Sequence, residues 1–157
     1  MYGLDPTIFG LQERIKKAFI KEEALSKILG DVKRAYPQEA CGVISGLVEG
    51  DKAYILSSRP LTNIYHDKRK FWFDVREWMR AIIEEFRRGR TYLGLYHSHP
   101  NGSTIPSLSD QHRMLECPEE LWLIISYDGD VYGWSLWRIS DFGGSIFKVR
   151  LEIIQSG

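Results

Sequence analysis

Extended segments outnumber helical ones in this sequence and mostly follow one another directly, which constrains the fold more than any other feature. Cys41–Val48 and Ala53–Ser58, separated by Glu49-Gly50-Asp51, predict a hairpin. Leu121–Tyr127 and Val131–Ile139, around Asp128-Gly129-Asp130, predict another. Arg14–Ile20 reads as a first strand, and Tyr92–His99 as a buried one ended by the turn residues Pro100-Asn101-Gly102. Phe147, Val149, Leu151 and Ile153 alternate with Lys148, Arg150 and Glu152, the pattern of a strand with one buried face.

Three helices fit between these segments. Lys21–Tyr36 places Leu25, Ile28, Leu29, Val32 and Tyr36 at helical spacing and stops at Pro37. The next starts at Asp74 as N-cap, with Glu77 completing a variant capping box. Val75, Trp78, Met79, Ile82 and Phe86 form its expected buried stripe, and Gly89 its C-terminal stop. A short helix over Ser107–Glu116 follows. The expected class is therefore α+β, a mixed and largely antiparallel sheet packed with helices. Residues 14–157 read as one domain, and the non-periodic residues 1–13 as an N-terminal extension.

Twenty-one Lys and Arg balance twenty-one Asp and Glu, so a protein living off phosphate contacts is disfavoured and no nucleic-acid partner is expected. No apolar run reaches the roughly 18–20 residues that cross a bilayer, and the N-terminal residues lack a signal-peptide pattern. No membrane association is expected. Two cysteines, Cys41 and Cys117, are too few for a disulfide scaffold and read as free thiols of a cytoplasmic protein.

The chemistry concentrates in Tyr96-His97-Ser98-His99-Pro100 and Ser107-Leu108-Ser109-Asp110. Side chains alternate along a strand, so His97 and His99 share a face, a natural ligand pair for a metal such as zinc. Asp110 is a candidate third ligand, which would leave a fourth position for water, as in catalytic sites. The bland alternative is that Ser107 and Asp110 merely open a helix, one as N-cap and the other at the positive dipole end. The deaminase signature fails, because Cys117 has no Cys-x-x-Cys partner, and the His-Glu-x-x-His of zincins is absent. His112, two residues past Asp110, turns away from it on a helix, and His66 falls among Tyr65, Asp67, Lys68 and Arg69 as an exposed loop. Trp122, Trp134 and Trp137 fall in strands and read as core.

The run His97-Ser98-His99-Pro100, six residues, Ser107, two residues, Asp110 resembles the JAMM motif of the MPN-plus (JAB/MPN) metalloproteases. Pro37-Gln38-Glu39-Ala40-Cys41-Gly42 is similar to that family's glutamate segment, and the likeness runs from about residue 15 to 154. The resemblance implies a cytidine-deaminase-like α/β sandwich. It implies that His97, His99 and Asp110 bind one zinc ion, that Glu39 is the general base and acid, and that Ser107 helps hold the oxyanion. From the residues alone, Glu39 cannot be told from Glu116, Glu119 or Glu120.

The resemblance also implies a substrate, an amide following the C-terminal Gly-Gly of a ubiquitin-like protein. The length suits the stand-alone prokaryotic type, whose implied substrates are small ubiquitin-like modifiers or sulfur-carrier proteins. A Gly-Gly tail suits addition along an exposed strand edge. A non-catalytic MPN scaffold and a zinc hydrolase of a small amide stand as the other readings.

Overall fold

The structure is a computed structural model that describes residues 15–65, 72–139 and 145–155. The expected extension over residues 1–13, the first residue of the expected first strand and His66 lie outside the described residues. Among the described residues the chain runs β1 (Lys17–Lys21), α1 (Glu22–Ala35), β2 (Cys41–Glu49), β3 (Lys52–Leu61) and α2 (Val75–Arg87). It continues with β4 (Thr91–Pro100), α3 (Leu108–Glu116), β5 (Leu121–Tyr127), β6 (Tyr132–Ile139) and β7 (Ile146–Ile154). The α+β reading holds, and both expected hairpins form, β2–β3 and β5–β6.

The sheet order is β1-β3-β2-β4-β5-β6-β7, and β7 pairs back onto β1, so the sheet closes. Among the described strands β2–β3, β2–β4, β5–β6 and β6–β7 are antiparallel. β1–β3, β1–β7 and β4–β5 are parallel. Closure matters for the expected strand-edge binding, because an added strand can pair only where one strand overhangs its neighbour. β3 is such a place: its register with β1 ends at Ile55.

Each face of the sheet buries a separate core. Leu25, Ile28 and Val32 of α1 pack on Ile44, Ile55, Leu123 and Val149. Ile82 of α2 and Met114 of α3 pack on the opposite face with Val43, Leu95 and Trp122. β5 shows the alternation plainly, since Leu121, Leu123 and Ile125 join the first core and Trp122 the second. β4 changes phase midway. Ile44 lies opposite Gly94 but Ser45 opposite Tyr92, so Leu93 is an extra residue in the ladder. Gly94 is required beside this bulge, because a Cβ there would lie 1.9 Å from the Leu121 carbonyl oxygen.

Three local expectations are corrected. In α2 the buried face is Ala81, Ile82 and Glu85, with Trp78 and Met79 half-buried, whereas Val75 and Phe86 are exposed. The stripe rotates because Glu85 is neutralised inside, by Arg59 at 2.8 Å and Arg90 at 2.9 Å, and accepts a bond from the Ser45 hydroxyl. The Asp74 cap forms, accepting the Arg76 N–H at 2.8 Å. Glu77 does not complete the box; its carboxylate takes the N–H and hydroxyl of Thr62 instead. In β7 only Val149 is fully buried, while Phe147 and Ile153 remain exposed. β7 leaves β6 after Val149 and crosses to β1, so its alternating face is not covered along its whole length.

Candidate metal centre and active site

β2 and β4 bring distant parts of the sequence together. Cys41 lies opposite His97 in their antiparallel ladder, and the same register carried two residues further sets Glu39 opposite His99. Past Cys41 the pairing changes character. The Ser98 N–H donates to the Ala40 carbonyl at 3.0 Å, but the Ala40 N–H donates to the Ser98 hydroxyl at 2.8 Å. On its other side β4 pairs with β5, and the Trp122 indole meets the His97 ring edge-on at 5.5 Å. Trp122 is thus core, as the sequence suggests. Trp137 is half-buried, and its Nε1–H holds the loop before α3 by donating to the Thr104 carbonyl at 2.8 Å.

The loop after β4 returns the chain to Ser107, where α3 begins with a complete capping box. The Ser107 hydroxyl accepts the Asp110 N–H at 3.1 Å, and Asp110 Oδ2 accepts the Ser107 N–H at 2.9 Å. This turn aims Asp110 at the histidines. Asp110 Oδ2 lies 2.9 Å from His99 Nε2 and 3.1 Å from His97 Nε2, and the two nitrogens are 3.1 Å apart. Ligands bonded to a tetrahedral metal at about 2.0–2.1 Å lie roughly 3.3 Å from one another, so this triangle fits a metal site. The His99 Nδ1 side faces the Ser103 carbonyl at 2.7 Å, which selects the tautomer that leaves Nε2 with its lone pair.

Electrostatics divide the three candidate ligands. Burial acts against a charge on His99, but Asp110 and the Ser103 carbonyl raise it above the usual imidazole range, so a metal must displace a proton there. Burial holds His97 below the usual imidazole range against the pull of Asp110, so its ring is neutral at neutral pH. Burial acts against ionisation of Asp110, but His97, the hydrogen bonds of both imidazoles and the Ser107 N–H hold its carboxyl well below the usual range. A neutral imidazole and an ionised carboxylate are the forms that bind metal.

Glu39 is not a surface residue: it is 4% exposed, and ligand atoms of Glu39, His97 and His99 lie within 4.8 Å of one another, a group that could hold a metal ion. Glu116 and Glu119 are exposed, and Glu120 is buried against the Tyr92 hydroxyl, which donates to it. A cleft of about 400 Å³ opens at the site, lined by Glu39, His99, Ser103, Ile105 and Ser107. The Ser107 side-chain oxygen is used as an acceptor by the cap, and its O–H is a donor on the cleft wall. His112 is exposed on α3. Cys41 and Cys117 are free thiols, as expected, and burial first of all pushes Cys41 up to about 12.

Sequence reasoning assigned nothing to Asn63, whose side-chain amide reaches the Glu39 carbonyl at 2.9 Å. Its one visible signal is a lone polar amide just after a strand.

Comparison with known proteins bears on the family and the fold. The family described as prokaryotic homologs of the JAB domain matches residues 21–140. The chain is similar to a protein named desampylase of Haloferax volcanii, 31% identical over 59% of this chain and 66% of that protein. It is similar to another desampylase, of Pyrococcus furiosus, 28% identical over the same shares. The matched stretch thus spans a little under two thirds of these relatives' length. A Desulfitobacterium hafniense protein solved in solution superposes with a TM-score of 0.78 at 26% identity, covering 88% of this chain and 94% of that one. A JAB1/MPN domain protein of Archaeoglobus fulgidus, 21% identical, shares the fold with a TM-score of 0.56 over 87% of this chain and 98% of its own.

Proposed function

Because the chain belongs to the prokaryotic homologs of the JAB domain, we propose that it is a zinc-dependent peptidase or isopeptidase. Its bond is the amide after the C-terminal Gly-Gly of a ubiquitin-like modifier or sulfur-carrier protein. The observation that carries this reading is the convergence of His97, His99 and Asp110 within 2.9–3.1 Å, with Glu39 beside them at an open cleft. The desampylase relatives support it, since their name denotes removal of a modifier from a conjugate.

His97, His99 and Asp110 would hold the zinc. When bound, the metal lowers the pKa of water to about 7 and polarises a carbonyl. Glu39 accepts the proton of the attacking water and delivers it to the leaving amine. The Ser107 O–H donates to the carbonyl oxygen as that oxygen gains charge. Glycines just before the scissile bond let the substrate backbone approach the cleft wall closely. The free thiols of Cys41 and Cys117 suit a reducing compartment, and the cytoplasm is the proposed location.

The deciding experiment incubates the zinc-loaded protein with a ubiquitin-like protein bearing an extension after its Gly-Gly. Release of the extension is expected, followed by mass spectrometry. Glu39→Gln should keep metal and fold while losing nearly all turnover, because the amide cannot take the proton. Failure of the wild-type protein to cleave both this fusion and the same protein joined to a lysine side chain overturns the reading, and cleavage of small amides alone replaces it with the small-amide hydrolase.

A further inference from the structure

Asn63 sits between β3 and α2, half-buried, and its side chain meets three backbone groups. Nδ2 donates to the Glu39 carbonyl at 2.9 Å, while Oδ1 accepts the N–H groups of Tyr65 at 3.1 Å and Trp72 at 3.2 Å. A carbonyl needs a donor and two N–H groups need an acceptor, so only one orientation of the amide satisfies all three.

Both ends of this bridge are anchored. The Ile64 N–H donates to the Trp72 carbonyl at 2.8 Å, and the Arg113 guanidinium of α3 lies over the Trp72 ring at 3.7 Å. Trp72 also stacks on Phe73 at 4.3 Å. The anchor is thereby tied to the helix that carries Asp110. At the other end, Glu39 lies just outside β2, where the backbone ladder with β4 has given way to the Ser98 hydroxyl. One backbone bond, from the Ser98 N–H to the Ala40 carbonyl, still ties this segment to β4. Side chains add to it, with the Ser98 hydroxyl accepting the Ala40 N–H and Asn63 donating to the Glu39 carbonyl.

The geometry points to Asn63 as a positioning residue that sets where the Glu39 carboxylate stands relative to His97 and His99. This rests on the reading of Glu39 as the general base. In all three of these bonds the Asn63 amide meets a backbone group. It acts through the backbone of Glu39, and a displacement of about 1 Å in a general base costs about 10² in rate.

The test is Asn63→Asp, which keeps the shape and the acceptor for Tyr65 and Trp72 but replaces the donor to Glu39 by a charged acceptor that repels the Glu39 carbonyl. The zinc-loaded variant should show kcat reduced about 10–10²-fold with KM within about twofold and zinc content unchanged. The same change in the Glu39→Gln background should cost no more than about twofold, because the group it positions is already gone. Hydrogen exchange of the zinc-free protein supplies a readout without turnover. The Ala40 amide should exchange about tenfold faster in Asn63→Asp while the Trp72 amide stays protected. Asn63→Ala, lacking both arms, should release both amides. Equal losses in the two backgrounds, an unchanged kcat, or unchanged Ala40 exchange each overturn the inference. If Glu39→Gln itself retains turnover, the reading of Glu39 as base has failed, and Ala40 exchange still decides whether Asn63 holds the segment.

Discussion

Ser107 and Asp110 cap each other: the serine hydroxyl accepts the Asp110 N–H at 3.1 Å while Asp110 Oδ2 accepts the Ser107 N–H at 2.9 Å. The same Oδ2 faces both imidazoles, so the start of α3 is also what orients the third candidate ligand. The two readings of Ser107 available from the sequence, helix cap and oxyanion donor, use different parts of one hydroxyl. The cap uses the oxygen lone pair and the oxyanion uses the O–H.

This gives Ser107 a divided expectation. Ser107→Ala should cost about 1 kcal/mol of stability through the lost cap and reduce kcat about 10²–10³-fold through the lost donor. Ser107→Asn restores a cap and should recover the stability. Its longer amide holds the donor in the wrong place, so turnover should stay low. Thermal melts and saturating kinetics on both variants check this. Full activity in Ser107→Ala would reduce the residue to a cap.

Removal of a ligand separates metal binding from fold. His99 contributes Nε2 to the triangle and lines the cleft, so the space left by His99→Ala opens into the cleft. Elemental analysis should find about one zinc per wild-type chain and a small fraction of that in His99→Ala. Binding favours the folded state, so a chelator should lower the wild-type Tm and leave that of His99→Ala nearly unchanged. Equal zinc in both proteins would sink the ligand assignment.

Gly42 tests the packing beneath the site. A Cβ there would lie 2.2 Å from the Tyr96 ring and 2.5 Å from the Arg59 carbonyl oxygen. Tyr96 cannot swing aside, because its buried hydroxyl donates to Asp31 of α1 at 2.6 Å. Gly42→Ala should therefore destabilise by about 2–3 kcal/mol, read from urea unfolding. Unchanged stability would show that β2 can shift at this point.

The parts of the site legible in the sequence are those set by local periodicity. His97 and His99 share a face because a strand alternates, and the β4 bulge at Leu93 lies upstream and leaves that parity intact. The Ser107–Asp110 cap was readable for the same reason, since it closes within one helical turn. Glu39 was not readable from spacing. It reaches His99 through the β2–β4 register, a pairing across about 60 residues of chain that only the family resemblance could indicate. The buried Glu85 escaped notice because its partners are scattered, with Arg59 on β3, Arg90 beyond α2 and Ser45 on β2. Closure of the sheet depends on β1, five residues long, pairing in parallel on both sides. So short a segment carries too little pattern to announce that.

Glu120 supplies the pH prediction. Its carboxylate is 9% exposed and accepts the Tyr92 hydroxyl, which in turn accepts the Trp78 Nε1–H at 3.1 Å. Burial pushes it up to about 7, and the bond from Tyr92 only partly offsets this. In the unfolded chain the same group titrates near 4.3. The folded state therefore binds the proton more tightly. Stability is greatest below the unfolded value and falls as pH rises towards and through the folded one. Glu85 runs oppositely. Burial acts against its charge, but hydrogen bonds from Arg90, Ser45, Ser57 and Arg59 hold it well below the usual range, so its contribution is lost only in acid. Between about pH 4.5 and 7.5 Glu120 contributes a decline, to which the raised Asp31 and His99 add and which the lowered His97 opposes. The difference between wild type and a Glu120 variant therefore isolates its share. Glu120→Gln keeps an acceptor for Tyr92 and has no proton to lose. Its Tm should fall less steeply than that of the wild-type protein across that window and exceed it at pH 8, by a stability difference on the order of 3 kcal/mol. Parallel pH profiles for the two proteins would mean that Glu120 titrates normally in the fold.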